Sequence, residues 1–412
     1  MELRSERCCG LDVHQRTVVA CLLVPGPAGP PSKQIRTFGT MTRDLLALSD
    51  WLAAAGCTHV ALEATGVFWK PIDNLLEDRF AVLVVNAAPI KAVPGRKTAV
   101  RDAEWIAELL RHGLLQPSFI PARPQRELRA LTRSRTTLIH ERANEVNRWQ
   151  QVREGATSKL ASVATDILGK SGREILQALV GGTSDSAALA QWARGRRREK
   201  LPHLEQALAG QFGLQQRFLI AQQLAHSDFL DASLERVSAE IAERVRPFDV
   251  PLERLQTIPG VGRRTAAVLV AEIGGDLTRL PTAPHLASWA GLCPGTDESA
   301  GKRRSGRTRK GSPWLRTALV EAAQAAARTK GTSLAAQYRR LAARRGAKRA
   351  TIAVAHSLLV MGYALLTQQT GYRELGGHYF DDRDRQAVER RLVQRLEALG
   401  DTVSLAPTSP AA

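Results

Sequence analysis

Acidic residues are the scarce class in this chain: 40 Asp and Glu stand against 58 Lys and Arg, which leaves a formal charge of +18 over 412 residues. A surface so short of negative charge points to a polyanionic partner, most often nucleic acid, because counterions released on association drive binding. The plainer alternative is a generally basic protein from a GC-rich genome, in which Arg replaces Lys. Cysteine is sparse as well. Cys8, Cys9, Cys21, Cys57 and Cys293 show no C-x-x-C spacing and no paired framework, which argues against a zinc site or a disulfide scaffold and suits a reducing cytoplasm. Long apolar runs are also missing. The opening "MELRSERCCGLDV" lacks the apolar core of a signal peptide. The segment "ATIAVAHSLLVMGYALLT" carries His356 and falls short of a comfortable membrane span, so it reads as a buried helix. The expectation is a soluble, cytoplasmic, globular protein with room for two or three domains and no membrane partner.

What is present divides along the chain. Residues 1–120 read as α/β. "CCGLDVHQRTVVACLLV" predicts a β-hairpin turning at His14–Arg16, and "KQIRTFGT" a weaker third strand. "MTRDLLALSDWLAAAG" has helical spacing and ends on Gly56, "THVALEATG" reads as a strand ending in Glu63, and "VFWKPIDNLLEDR" as a helix with Pro71 near its start. "FAVLVVNAAP" is apolar enough for a buried central strand. A hairpin, a third strand and then alternating helices and strands is the order of a RuvC- or ribonuclease-H-like domain. Residues 121–250 turn helical and charged; Leu128, Leu131, Leu138, Val146 and Trp149 lie near heptad spacing, as in a coiled-coil arm or an ordinary intramolecular helical hairpin. Residues 251–375 form a further, mostly α-helical region. Residues 376–412 read as a charged helix and a disordered tail.

Three acids stand out in the first region. Asp12 is flanked by apolar residues in the first strand, and Glu63 ends the fourth; neither carboxylate belongs in a buried strand uncompensated. On neighbouring strands the two would converge, and at about 4 Å they would repel by roughly 4 kcal/mol at an effective dielectric near 20. A divalent cation resolves that conflict, and Mg²⁺ suits oxygen ligands. The alternative makes Asp12 a turn residue and Glu63 a helix-entry acid. Asp102, in "GRKTAVRDAEWIAELLRHG", falls in the first turn of a helix starting near Thr98, where the macrodipole favours acids in any case. One turn earlier on the same face stands Ala99, whereas Glu104 points elsewhere.

Two later stretches carry basic chemistry. "IPGVGRRTAAVLVAEIG" has the pattern of a helix-hairpin-helix element, whose glycines let backbone N–H groups approach a phosphate beside Arg263 and Arg264. "GLCPGTDESAGKRRSGRTRKGSPWLR" sets Ser299 in a small, flexible loop among Lys302, Arg303, Arg304, Arg307, Arg309 and Lys310. Those cations could steady a phosphate and a developing phosphorane. No histidine is near in sequence to serve as a base, so a solvated basic loop with an incidental serine is the competing reading. Ser312 is the expected N-cap of the next helix, with Pro313 at its first position.

"GLDVHQ", "ALEATG", "GRKT-x-V-x-DAEW", "PGVGRRTA" and "GLCPGTDESAGKRRSGRTRKGSPWLR" occur in the same order as in the insertion-sequence 110 family of transposases, and the chain most resembles its 1111 subgroup; pilin-inversion recombinases are relatives. The resemblance implies a RuvC-like domain with a DEDD acidic tetrad binding Mg²⁺, and a C-terminal domain with a nucleophilic serine. It implies excision and insertion of a mobile element through a phosphoserine–DNA intermediate, guided by a structured bridge RNA (or seekRNA) that pairs with donor and target DNA. It also implies a homo-oligomer, with Ser299 activated by the acids and Mg²⁺ across a subunit interface. Asp12 and Glu63 match the first two acids, Asp102 the last, and Ser299 the serine; Arg96 and Lys97 belong to the basic run before Asp102. The third acid falls at position 99, where this chain has Ala99. Two rival readings remain: a RuvC-like Mg²⁺-dependent nuclease or resolvase using the acids alone, and a non-catalytic helix-hairpin-helix nucleic-acid-binding protein.

Overall fold

The computed structural model describes residues 5–26, 29–64, 66–86, 99–154, 169–193, 201–209, 213–275, 277, 280–295, 298–303 and 305–405. They fall into two compact units, Met1–Ile120 and Pro121–Ala412.

The first unit is built on a mixed five-stranded sheet. Its elements run β1 (Cys8–Val13), β2 (Thr17–Gly26), β3 (Gly29–Gly39), α1 (Thr42–Ala54), β4 (His59–Glu63), α2 (Trp69–Leu76), β5 (Ala81–Val85) and α3 (Ala99–Arg111), with strand order β3-β2-β1-β4-β5. The hairpin forms as the sequence predicts: β1 and β2 pair antiparallel from Cys8↔Leu23 to Val13↔Val18. The third strand forms too, and is longer than "KQIRTFGT" alone would suggest. Alternation then sorts β1 into two faces. Cys9, Leu11 and Val13 pack with Leu45, Leu48 and Leu52 of α1 and with Ile72 and Leu76 of α2. Cys8, Cys21 and Ala61 pack on the opposite face with Ala103, Ile106, Ala107 and Leu110 of α3. Helices therefore cover both faces.

The expectation that "FAVLVV" forms a central strand is corrected by this order, because β5 lies at the sheet's end. Its apolarity is explained by cover. Val84 and Val85 are buried, Ser118 N–H donates to Val84 O at 2.7 Å, and Val85 bridges Pro117, so the chain after α3 closes the open edge. Burial also settles the cysteines: it pushes the thiols of Cys8 up to about 12 and those of Cys21 and Cys57 up to about 11, which keeps them protonated and inert.

Gly10 sets how closely α3 approaches the sheet. A Cβ at that position would lie 2.3 Å from Ala103 O and 2.4 Å from Ala107 N, so the helix backbone rests directly on β1. Gly10→Ala is therefore expected to cost about 1–3 kcal/mol, as overpacking does, and to push Asp102 away from the sheet. A urea midpoint equal to that of the parent chain would contradict this packing.

The second unit is helical. It comprises α4 (Arg123–Glu154), α5 (Lys170–Val180), α6 (Ser186–Ala190), α7 (Leu201–Leu208), α8 (Leu214–Arg244), α9 (Asp249–Gln256), α10 (Arg263–Ile273) and α11 (Ala283–Trp289). A two-stranded hairpin of β6 (Glu298–Ser299) and β7 (Lys302–Arg303) follows, and then α12 (Pro313–Arg328), α13 (Ser333–Arg345), α14 (Ala347–Gln368), α15 (Tyr379–Asp382) and α16 (Arg385–Glu397). The heptad-like leucines do form a long helix, and its partner lies in the same chain. α8 runs antiparallel along α4, as shown by the contacts Arg135–Ser238, Arg142–Asp231 and Glu145–His226. Ile220 and Leu224 of α8 also bury the short helices α5, α6 and α7. α14 is long and apolar enough to cross a membrane, but Val354, Ala355, Leu358 and Leu359 pack in the unit's own core, as a buried helix should. The charged C-terminal helix forms over Arg385–Glu397, and the tail from residue 406 lies outside the described residues.

Candidate functional site

The face of the sheet that carries α3 also carries the acids. β1 and β4 are parallel neighbours whose register runs from Cys8↔His59 to Leu11↔Leu62; one further step sets Asp12 opposite Glu63. Asp12 follows Gly10 on the α3 face, and Asp102 stands in the first turn of α3, beside the Ala103 that rests on Gly10. The sequence thus delivers three carboxylates to one face of the sheet through strand alternation, strand adjacency and a glycine that admits the helix. Burial pushes the Asp12 carboxyl above its ordinary value; nearby His14 pulls it down, while Asp102 and Glu63 push it further up. Asp12 is 7% exposed. Its Oδ2 is buried and lies 3.0 Å from His14 Nε2, which is its one close polar neighbour among the described residues.

A buried carboxylate with two further carboxylates near enough to raise its pKa has the donor chemistry that suits a hard divalent cation. Among the described residues no group of three or more His, Cys, Asp or Glu side chains stands close enough to hold a metal ion, so Asp12, Glu63 and Asp102 share a face of the sheet without closing into a formed metal site. His14 is the residue that sequence reasoning missed; its position two residues beyond Asp12, across the hairpin turn, was the available signal. Ala99 opens α3, while Arg96, Lys97 and the expected N-cap Thr98 lie outside the described residues. One consequence is measurable without any reaction. Asp12→Asn removes a buried charge that two neighbours repel, and is expected to stabilise the metal-free protein by about 1 kcal/mol, roughly 2–4 °C in Tm. A lower Tm would show that the Asp12–His14 pair outweighs the repulsion.

Ser299 occupies a different setting from the flexible loop expected of "ESAG". Glu298 pairs with Arg303 and Ser299 with Lys302, which makes a tight two-residue hairpin. Its turn residues are Ala300 at φ 50° and Gly301 at φ 74°, the left-handed pair of a type I′ turn. Ala300 holds a conformation that costs a non-glycine residue of the order of 1 kcal/mol. The hairpin is the tip of a longer finger: Pro294 bridges Thr308, Gly295 N–H donates to Arg307 O at 2.7 Å, and Arg316 Nη1 donates to Thr308 Oγ1 at 2.7 Å. Ser299 is exposed and, among the described residues, has no hydrogen-bonded base. Lys302, Arg307, Arg309 and Lys310 are exposed along the finger. Of the remaining cations, Arg303 is described in its backbone only and Arg304 lies outside the described residues.

The finger's far end is anchored by a network that the sequence did not disclose. Ser312 caps α12 as expected, accepting from Leu315 N–H at 3.3 Å. Its hydroxyl also donates to Glu272 Oε2 at 3.1 Å. Glu272 is fully buried, and Arg133 of α4 grips it through Nε at 2.7 Å and Nη2 at 2.9 Å. Arg129 donates to the backbone carbonyls of Ala271 at 3.0 Å and Glu272 at 2.6 Å, capping α10; burial pushes its guanidinium down to about 10.

The "PGVG" turn joins α9 to α10. Gly260 has φ 87°, and a Cβ there would meet Ala322 O at 2.5 Å and Ala326 N at 2.6 Å, so this glycine is required by packing on α12. Gly262, the N-cap of α10, has open space beside it and leaves the exposed Arg263 and Arg264 accessible.

Comparison with known proteins bears on both units. A family model of DEDD transposases, described as "Transposase", matches residues 9–155, and one described as "Transposase IS116/IS110/IS902 family" matches residues 252–339. The transposase for insertion sequence element IS1111A of Coxiella burnetii is 34% identical over 125 residues, which is 29% of this chain and 34% of that protein. The insertion element IS110 uncharacterized 43.6 kDa protein of Streptomyces coelicolor is 60% identical over 45 residues, 11% of either chain. The chain thus spans about a third of the length of the first of these curated relatives and about a tenth of the second. The acids Asp12, Glu63 and Asp102 fall inside the first match, while Arg263 and Ser299 fall inside the second. The two matches follow one another in the chain without overlap, so both parts of the chain are similar to IS110/IS116/IS902 family transposases, with the match to a DEDD transposase domain at residues 9–155.

Proposed function

We propose that the chain is the strand-cutting and strand-joining enzyme of an insertion sequence. It acts in the cytoplasm as an oligomer on donor and target DNA, guided by a structured RNA. The observation that carries this reading is the placement of Asp12, Glu63 and Asp102 on one face of the sheet, where Asp102 and Glu63 both push the buried Asp12 carboxyl above its ordinary value. Domains of the DEDD class typically use divalent metal ions, and these three residues would hold one here, Mg²⁺ being the ion their oxygens suit. Bound there, such an ion supplies charge neutralisation to an in-line phosphoryl displacement. The chain's own residues do the rest. In the covalent step Ser299 Oγ bonds to the scissile phosphorus as the bond from that phosphorus to a deoxyribose oxygen breaks. The hydroxyl proton passes to a carboxylate brought up on assembly, and the departing oxygen is protonated to a hydroxyl. Joining reverses the step with a new hydroxyl.

The cations hold the backbone. Lys302, Arg303, Arg304, Arg307, Arg309 and Lys310 surround the serine in sequence, Arg263 and Arg264 flank the α10 N-terminus, and Arg96 and Lys97 precede α3; each neutralised phosphate releases counterions. The guide RNA rests on the ordered motifs and on the +18 charge, and on analogy with systems that leave sequence reading to base pairing. A second reading, a nuclease that uses the acids alone, draws support from the absence of a hydrogen-bonded base at Ser299 among the described residues. The acid site is tested by Mg²⁺-dependent cleavage of DNA carrying the element's ends. Ala99→Asp is expected to raise the rate about tenfold or more, the order of effect seen when the surroundings of a metal site change. An unchanged rate would mean that the pocket does without a fourth acid.

A further inference from the structure

A cleft of about 670 Å³ opens in the second unit between α4, α8, α10 and α12. Neither the acids Asp12, Glu63 and Asp102 nor Ser299 lies in it. Its volume is that of a small-molecule pocket, and its walls divide by chemistry. Ile139, Ile241, Val245, Val268 and Trp314 form an apolar part, while the polar side carries Arg135, Arg263, Arg264 and His140 against a single carboxylate, Glu321. The guanidiniums of Arg135 and Arg264 repel: Arg135 is half-buried, and both its burial and the charge of Arg264 oppose its protonation. Arg135 Nε donates to Ser238 Oγ at 2.8 Å, which holds the side chain against α8 in the wall of the cleft. Three arginines against one glutamate leave the cleft an excess of positive charge beside an apolar slot, which suits an anion joined to a flat, apolar body.

We propose that this cleft takes a single unstacked nucleotide, its base among Ile139, Val268 and Trp314 and its phosphate between Arg135 and Arg264. The assignment rests on the nucleic-acid reading above and deepens it: the same chain that holds duplex backbones has a slot for one extruded or unpaired base. Stacking of a base on an aromatic side chain and pairing of arginine with phosphate are each sufficient to give a measurable preference. Because strand distortion exposes a base, the slot would select bulged or unpaired positions over continuous duplex.

The test uses the full chain and two DNA duplexes, one fully paired and one with a single bulged 2-aminopurine, with free 2-aminopurine nucleotide as a third probe. The bulged duplex is expected to bind about tenfold more tightly than the paired one, with a change in 2-aminopurine fluorescence on binding. Ala242 is exposed at the cleft's edge; Ala242→Trp should abolish the preference and the fluorescence change while leaving paired-duplex binding intact. Arg135→Gln should weaken the preference in the same direction. Equal binding of both duplexes by the parent chain, or a preference that survives Ala242→Trp, overturns the proposal. Free nucleotide binding that Ala242→Trp removes, without a bulge preference, overturns it in favour of a free ligand. Failure to bind either duplex contradicts the nucleic-acid reading itself, and with it this inference.

Discussion

Glu272→Ala is expected to destabilise the second unit by about 3–5 kcal/mol, the cost of breaking a buried ion pair from one side. The carboxylate is fully buried and meets Arg133 through two hydrogen bonds, Arg129 at 4.0 Å and the Ser312 hydroxyl at 3.1 Å. Removing it leaves two guanidiniums facing each other across a cavity, one of them already disfavoured by burial. Arg133 is partly exposed and can turn to water, which keeps the loss below the upper bound of a fully enclosed charge. Glu272→Gln should cost less, because the amide still accepts from one arginine. Urea unfolding followed by far-UV circular dichroism measures both, and a loss below about 1 kcal/mol for Glu272→Ala would show that the network is replaceable by water. Since Ser312 ends the finger and starts α12, the same substitution should loosen the anchoring of Ser299 and lower any reaction that depends on it.

Ser299→Ala is expected to lower strand exchange by about 10³-fold or more, the scale on which removing a covalent nucleophile acts. The comparison is made in the Ala99→Asp background, so that the acid site is not limiting. The hairpin geometry sharpens this expectation. Ser299 is fixed by its pairing with Lys302 at the tip of a finger whose turn holds Ala300 in a left-handed conformation, and strain of that kind persists only where the surroundings enforce it. Full strand exchange by Ser299→Ala would sink the serine mechanism and leave the acids-only nuclease. Binding to DNA at low salt should be unchanged, because the cations that neutralise phosphate are all retained.

Much of the first unit was legible because period and position carry the information. Alternation in "CCGLDV" placed Asp12 on one face, and the order of strands and helices placed Glu63 beside it. The edge position of β5 was not legible, since apolar content reports cover on the faces and the cover of its edge comes from Ser118 and Pro117, far along the chain. The type I′ turn at Ser299 was hidden because "SAG" puts alanine where glycine or asparagine is the usual signal. Gly260 looked like a phosphate-approach glycine, and packing on Ala322 proved sufficient to require it. Glu272 was invisible for a different reason: in "LVAEIGG" it interrupts an apolar helix as any surface glutamate would, and its partner Arg133 lies 139 residues away. The Asp12–His14 contact depends on how the hairpin turns, which the residue types alone do not specify.

The point at which DNA becomes attached to the protein decides between the serine mechanism and its rivals. The parent chain and the Ala99→Asp variant would each be incubated with Mg²⁺, RNA transcribed from the element and element-end DNA, then denatured, digested and mapped by mass spectrometry. The account predicts one nucleotide-bearing peptide, with the phosphate on Ser299, absent from Asp12→Asn. Cleaved DNA with no protein adduct, or an adduct on any other residue, would contradict it.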